Sequence, residues 1–222
     1  MTFLGMHPRT RLSATLALGF STALGSFLGF HYSGPFQGAP PTDQAEASSA
    51  TPDLAELRAL YAADQADRTP GTAPKDWQEI ERRDQERQAR VQALLDAGAA
   101  KTGRDYFHAA MVFQHASTPE GIQLAHELAM IAACLGDRGS RWLAAASYDR
   151  YLMYLDRPQR FGTQYRSDAD GVMKLYNTAP GVSDAMRAAL DVPSLAEAQA
   201  REAEMQAQIE ALRKVAEPTG GQ

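Results

Sequence analysis

Residues 12–30 (LSATLALGFSTALGSFLGF) form a run of 19 without a single charge. At 1.5 Å per helical residue, a helix of that length spans a hydrocarbon core of about 30 Å. Arg9 and Arg11 precede the run with no acidic residue beside them, and no Lys or Arg follows until Arg58. That asymmetry predicts a cytoplasmic N-terminus and a domain held outside. Two readings stand. Phe30, His31 and Tyr32 at the end of the run suit a membrane interface, and no good A-x-A site follows, which favours a retained signal anchor. Eight of the 19 residues are Gly, Ser or Thr, which favours a cleaved signal peptide. Both place the protein in a bacterial cell envelope, either anchored in the inner membrane through residues 12–30 and facing the periplasm, or released into the periplasm. Ser13, Ala17, Ser21, Gly25 and Gly29 recur every four residues, the small-xxx-small spacing through which membrane helices self-associate.

The remainder divides by composition. After the segment 1–32, residues 33–52 (SGPFQGAPPTDQAEASSATP) are a Pro/Ala/Ser stretch expected to be a disordered linker. A helical domain is expected over 53–193, a C-terminal helix over 194–216 and a disordered tail over 217–222. Charged residues are 22% and hydrophobic ones 44%, which suits a packed body, while a net charge of −5 without a basic patch excludes nucleic-acid binding. The one cysteine, Cys134, cannot form an internal disulfide and is expected to be a small buried apolar residue.

Start and stop signals parse the body into helices. Thr51-Pro52-Asp53 opens one to about Arg68, and residues 69–75 break it. Asp76-Trp77-Gln78-Glu79 has the pattern of a capping box and opens a second, which Gly98 ends. Thr102 or Asp105 starts a third through His115. Ser117-Thr118-Pro119-Glu120 starts a fourth, ended by Gly136. A fifth runs from about Ser140 to Leu155. FGTQYR and VMKLYN around SDADG then predict a small β-hairpin. Ser183 opens a short helix, and Ser194-x-x-Glu197 caps the last. The fold class is therefore all-α: five principal helices, a minor β-hairpin and a C-terminal helix, preceded by one hydrophobic helix.

Five consecutive helices place a polar residue on the stripe that should be buried. Asp64 continues Leu54, Leu57, Leu60 and Tyr61; Asp84 and Arg87 interrupt Trp77, Ile80, Val91 and Leu94; Gln114 and His115 follow Phe107, Ala110 and Met111. His126 lies among Ile122, Ala125, Ala129 and Ala133, and Asp149 among Trp142, Ala145, Leu152 and Met153. An unpaired buried polar group costs several kcal/mol, on the order of the transfer penalties, so these groups either satisfy one another or face a ligand.

Known catalytic spacings are missing. Met130 stands where HExxH needs its second histidine, Asp105-x-x-His108 only imitates a di-iron motif, and there is no GxSxG. His115, His126 and Asp149 are chemically able to hold one metal ion, though spacing identifies no metal or cofactor. His126 oriented by Asp149 is the candidate catalytic pair if the two meet in a cleft. Asp64, Gln114, His115, Gln159, Thr163 and Gln164 are the candidate ligand-binding residues, the last three on a loop entering the hairpin.

The string DYFHAAMVFQHASTPEGIQLAHELA, with RWLAAASYDRYLM, PQRFGTQY and the earlier LYAADQADR, resembles an uncharacterised bacterial helical domain family, a domain of unknown function. Its members share D-Q-x-D-R, Q-H, A-H-E-L-A, D-R and Q-x-x-G-T-Q motifs. The resemblance spans about residues 53–195 and implies that Asp64, Asp67, Arg68, Gln114, His115, His126, Asp149, Arg150, Gln159, Gly162, Thr163 and Gln164 belong to the pattern. It implies no activity. The expected function is a periplasm-facing binding or scaffolding domain, and the alternative is a hydrolase-type enzyme with a His/Asp/Gln site. The C-terminal stripe Leu195, Ala198, Glu202, Met205, Ile209, Leu212 and Ala216 offers a second route to a homo-oligomer.

Overall fold

The structure, a computed structural model, describes residues 53–69, 76–168 and 172–216. The hydrophobic run 12–30, the linker 33–52, the cap residues Thr51 and Pro52, most of the break at 69–75, the tip of the hairpin turn and the tail 217–222 lie outside them. Among the described residues no helix is long and apolar enough to cross a membrane.

Five helices build the body: α1 (Ala55–Ala66), α2 (Trp77–Asp96), α3 (Gly103–Phe113), α4 (Pro119–Cys134) and α5 (Gly139–Tyr154). The strands β1 (Tyr165–Ser167) and β2 (Met173–Leu175) follow, then α6 (Asp184–Ala189) and α7 (Leu195–Ala216). The all-α bundle with a minor hairpin and a C-terminal helix is the observed fold. Helix α3 is central, touching α1, α2, α4 and α5.

Caps explain why the boundaries fall where they do. Thr102 and Asp105 both act at the start of α3, in a reciprocal capping box. Thr118 caps α4 with Pro119 in its first turn, and Ser183 caps α6. Two expected caps differ. Asp76 does accept the Gln78 N–H, but Glu79 turns away to Arg82 and Arg83. At α1 the N-cap is Leu54, with no side-chain cap; its own N–H is taken instead by the Asp105 carboxylate 51 residues away.

Alanine is the material of the α3–α4–α5 core: Ala109, Ala110, Ala125, Ala129, Ala132 and Ala144 are buried, with Leu128, Leu143, Val112 and Phe113 filling the gaps. Small side chains let these helices pack closely, and few apolar atoms are left to enclose polar ones. Leu57 from α1 and Val91 and Leu94 from α2 close the other side. Three burial assignments are corrected. Trp77 is exposed, because it sits in the first turn of α2, beyond its buried members. On α4 the inward position is Ala132 in place of Ala133, and Cys134 at the helix end is exposed.

Strands β1 and β2 pair antiparallel, Arg166 opposite Lys174. The outer edge of β2 meets α7: Glu202 Oε1 accepts the Leu175 N–H and Gln206 Oε1 accepts the Met173 N–H. Ala198, Met205 and Ile209 are buried beneath α7, and the Tyr165 hydroxyl donates to Ala198 O. The stripe residues Ala198, Met205 and Ile209 thus lie on the buried side of α7, and Glu202, which breaks the stripe, covers a strand edge.

Candidate functional site

Most of the candidate residues belong to two polar centres, one at the ends of α1 and α3 and one around Asp149.

In the first, oppositely charged groups alternate across three helices. Asp64 accepts from the His115 ring at 3.0 Å, from Gln65 Nε2 at 2.8 Å and from Arg68 Nη1 at 2.8 Å. Arg68 bridges on to Asp84 of α2. Arg87 joins Asp84 at 2.6 Å to Asp67 at 2.8 Å, and Arg83 reaches Asp67 at 3.1 Å. The His115 ring and the charged side chains other than Arg83 are nearly inaccessible. Arg150 lies beside this ladder with no carboxylate partner among the described residues, donating to Gln114 O at 2.8 Å and Gln164 Oε1 at 3.3 Å. Burial, then the nearby Arg68, brings its pKa down to about 10, so it stays cationic at neutral pH. The Gln114 side-chain oxygen has no partner among the described residues.

Burial pushes the Asp64 carboxyl up to about 6, opposed first by Arg68, then by Gln65 and Arg87, with Asp67 adding to the rise. Burial, then Arg68, Arg150 and Arg87, holds the His115 imidazole well below its usual value. At neutral pH the contact joins a neutral ring to a carboxylate. As the pH falls, the unfolded chain takes a proton on His115 near 6.5, and the folded chain takes one on Asp64 near 6. The two uptakes nearly balance, so the pair itself makes little pH dependence. His115→Gln leaves a carboxyl that prefers its proton when folded, and stability should rise as the pH drops from 7 toward 4. Asp64→Asn leaves a ring that resists its proton only when folded, and stability should fall below pH 6.5. Each slope is at most about 1.4 kcal/mol per pH unit. Urea melts across this range check it; slopes of one sign in both variants would refute the pairing.

The second centre is built around Asp149 of α5. Its carboxylate accepts the backbone N–H groups of Arg160 (2.6 Å), Phe161 (3.0 Å) and Thr163 (3.1 Å), and the Thr163 hydroxyl (2.8 Å). Gly162, at φ 81°, supplies the left-handed residue that lets the loop fold around the carboxylate. Gln159, fully buried, gives Nε2 to Gln164 O and Tyr176 O and accepts the Gln164 N–H. Gln164 Nε2 reaches Ala146 O on α5. Burial raises the Asp149 pKa, and the donors from Phe161, Arg160 and Thr163 pull it back. The three loop residues expected to bind a ligand thus pin the loop to α5.

His126 belongs to neither centre. Its Nδ1 lies 2.8 Å from Ala144 O and its ring 5.2 Å from Tyr148. It lines a shallow surface cavity of about 230 Å³ with Gln123, Glu127, Tyr148 and Tyr151. The expected His126–Asp149 pair is not formed. Ala144 and Asp149 are five residues apart, about 7.5 Å and 140° around a helix, so a ring bonded at one does not face the other. The metal set of His115, His126 and Asp149 fails for the same reason. Among the described residues no group of three or more His, Cys, Asp or Glu is placed to hold a metal ion.

Arg187 did not stand out in the sequence, and Asp105 stood out as a helix start and in Asp105-x-x-His108 but not as a tie to α1. Buried Arg187 of α6 holds Phe161 O and Val182 O, bracing the Asp149 loop from outside. Asp105 collects the N–H groups of Leu54, Lys101 and Thr102. The bonds of Arg187 to Phe161 and of Asp105 to Leu54 reach across 26 and 51 residues, and no local spacing announces that. Compared with family models, curated proteins and solved structures, the chain matches none.

Proposed function

We propose that this chain is a periplasm-facing binding or scaffolding protein of the bacterial envelope, with the uncharacterised helical domain family as its relatives. One observation carries the non-enzymatic reading: the polar side chains of the bundle hold one another and the loop after α5. Asp149 accepts from three backbone amides and a hydroxyl, and Asp64 is engaged by His115, Gln65 and Arg68. The hydrolase alternative loses its orienting carboxylate. His126 has an open cleft, but Glu127 beside it accepts from Gln123, and a lone imidazole without a nucleophile or an oriented acid makes a poor hydrolytic centre.

The envelope placement rests on the uncharged run after Arg9 and Arg11. Alkaline phosphatase fused after Val215 is expected to be active, since the enzyme needs an oxidising compartment for its disulfides. An inactive, stably produced fusion would overturn the topology. For the scaffold, His126→Gln should leave the urea midpoint almost unchanged while Asp149→Asn lowers it. A midpoint that falls for His126→Gln and holds for Asp149→Asn would refute the reading.

A further inference from the structure

The cavity beside His126 is used by neither polar centre. It lies between α4 and α5 and is lined by Gln123, His126, Glu127, Tyr148 and Tyr151. Spacings of three and four put Gln123, His126 and Glu127 on one face of α4, and a spacing of three puts Tyr148 beside Tyr151 on α5. At about 230 Å³ it is smaller than the roughly 300–1,000 Å³ pockets that enclose drug-sized ligands. It fits a head group, not a whole molecule of that size.

The wall is set to accept hydrogen bonds. His126 Nδ1 lies 2.8 Å from Ala144 O. A carbonyl can only accept, so in the neutral ring Nδ1 carries the proton and Nε2 keeps its lone pair. Glu127 Oε1 accepts from Gln123 Nε2 at 2.9 Å, which leaves the Gln123 oxygen as a further acceptor. That neutral amide is the one partner of the Glu127 carboxylate among the described residues, and no Lys or Arg lines the cavity. The hydroxyls of Tyr148 and Tyr151 have no partner among them either. The Tyr148 ring lies 5.2 Å from the imidazole, beside any cation seated at its edge. An anion would meet an uncompensated carboxylate here. A metal ion would find only two ligands of the usual kinds, His126 and Glu127. An ammonium group brings three donors to these acceptors and a charge that both the carboxylate and the tyrosine rings attract.

We propose that this cavity binds a primary ammonium group on an alkyl chain, with Glu127 as counter-ion, His126 Nε2 as acceptor and the Tyr148 and Tyr151 rings against its charge and methylenes. The site rests on the reading of this domain as a binding module and supplies its ligand class. The test uses the full chain in a nonionic detergent at neutral pH. Histidine rings are labelled for NMR, and n-butylammonium chloride is titrated at constant ionic strength. The His126 signal is the one lost in His126→Gln. Saturable shifts of that ring are expected, with Nδ1 as its protonated nitrogen. Affinity should fall roughly tenfold in Glu127→Gln, the size of a lost charged hydrogen bond. It should fall about threefold in Tyr151→Leu, the size of an exposed cation–π contact. Glu127 is exposed, so its variant should fold. N-acetyl-lysine methylamide titrated in parallel separates sources: tighter binding marks a peptide-borne lysine as the ligand, and equal or weaker binding marks a free alkylamine. Failure would strike the ligand class alone, because the scaffold is read from the Asp149→Asn and His126→Gln midpoints. The absence of a saturable shift, shifts matched by tetramethylammonium or sodium chloride, or binding unchanged in both variants would overturn the proposal.

Discussion

Arg68→Met is expected to destabilise the domain by about 3–5 kcal/mol, the usual range for removing one partner of a buried ion pair. The side chain bridges Asp64 and Asp84, and all three are nearly inaccessible. Its loss leaves Asp64 without its arginine partner and Asp84 sharing Arg87 with Asp67. It also removes the strongest pull holding the Asp64 pKa down, so Asp64 should bind a proton near neutral pH in the variant. Urea melts of Arg68→Met, Asp84→Asn and the double variant form the check. The double variant should lose much less than the sum of the singles, because the second change removes a charge that the first left unpaired. Additive losses would mean that the ladder is a row of independent contacts.

Asp149→Asn should cost about 2–4 kcal/mol, since charged hydrogen bonds contribute roughly 1.5–3 kcal/mol and an orphaned buried donor costs a similar amount. The carboxylate is an acceptor at both oxygens, and four donors converge on it. Asn keeps one oxygen and turns an NH₂ group toward N–H groups that have no other partner nearby. Burial favours the neutral side chain, which sets the lower bound of the range. Hydrogen exchange at Arg160, Phe161 and Thr163 gives the local readout. Their protection should collapse in the variant well before that of the α3 core; protection that persists would show that the loop is held by Gln159, Gln164 and Arg187 without the carboxylate.

The helices were legible because their boundaries are written locally. Thr102, Thr118-Pro119, Ser183 and Ser194 each cap a helix within three residues of themselves. Polar residues on apolar stripes were also a sound signal, since Asp64, Asp84, Arg87, Gln114 and Asp149 are all buried. The partnerships were not legible. A stripe says which way a side chain points and nothing about what stands opposite. His126 and Asp149 lie on neighbouring helices, yet one bonds to an α5 carbonyl and the other to the loop beyond α5. Thr163 and Gln164 read as ligand groups because binding loops are polar, but a loop that must be pinned to a helix needs the same residues.

The cover that α7 provides for β2 has a consequence for how the protein is made. The ribosome delivers the hairpin before the helix whose Glu202 and Gln206 occupy its outer N–H groups. During that interval Met173 and Leu175 offer open amides, a template on which strands of other nascent chains can add. A strand of three residues limits the hazard, and Lys174 between the two amides adds a charge that discourages stacking. Chains cut short before residue 202 would carry the open edge permanently. Quality control should meet them as clumping fragments, not as soluble domains that merely lack a tail.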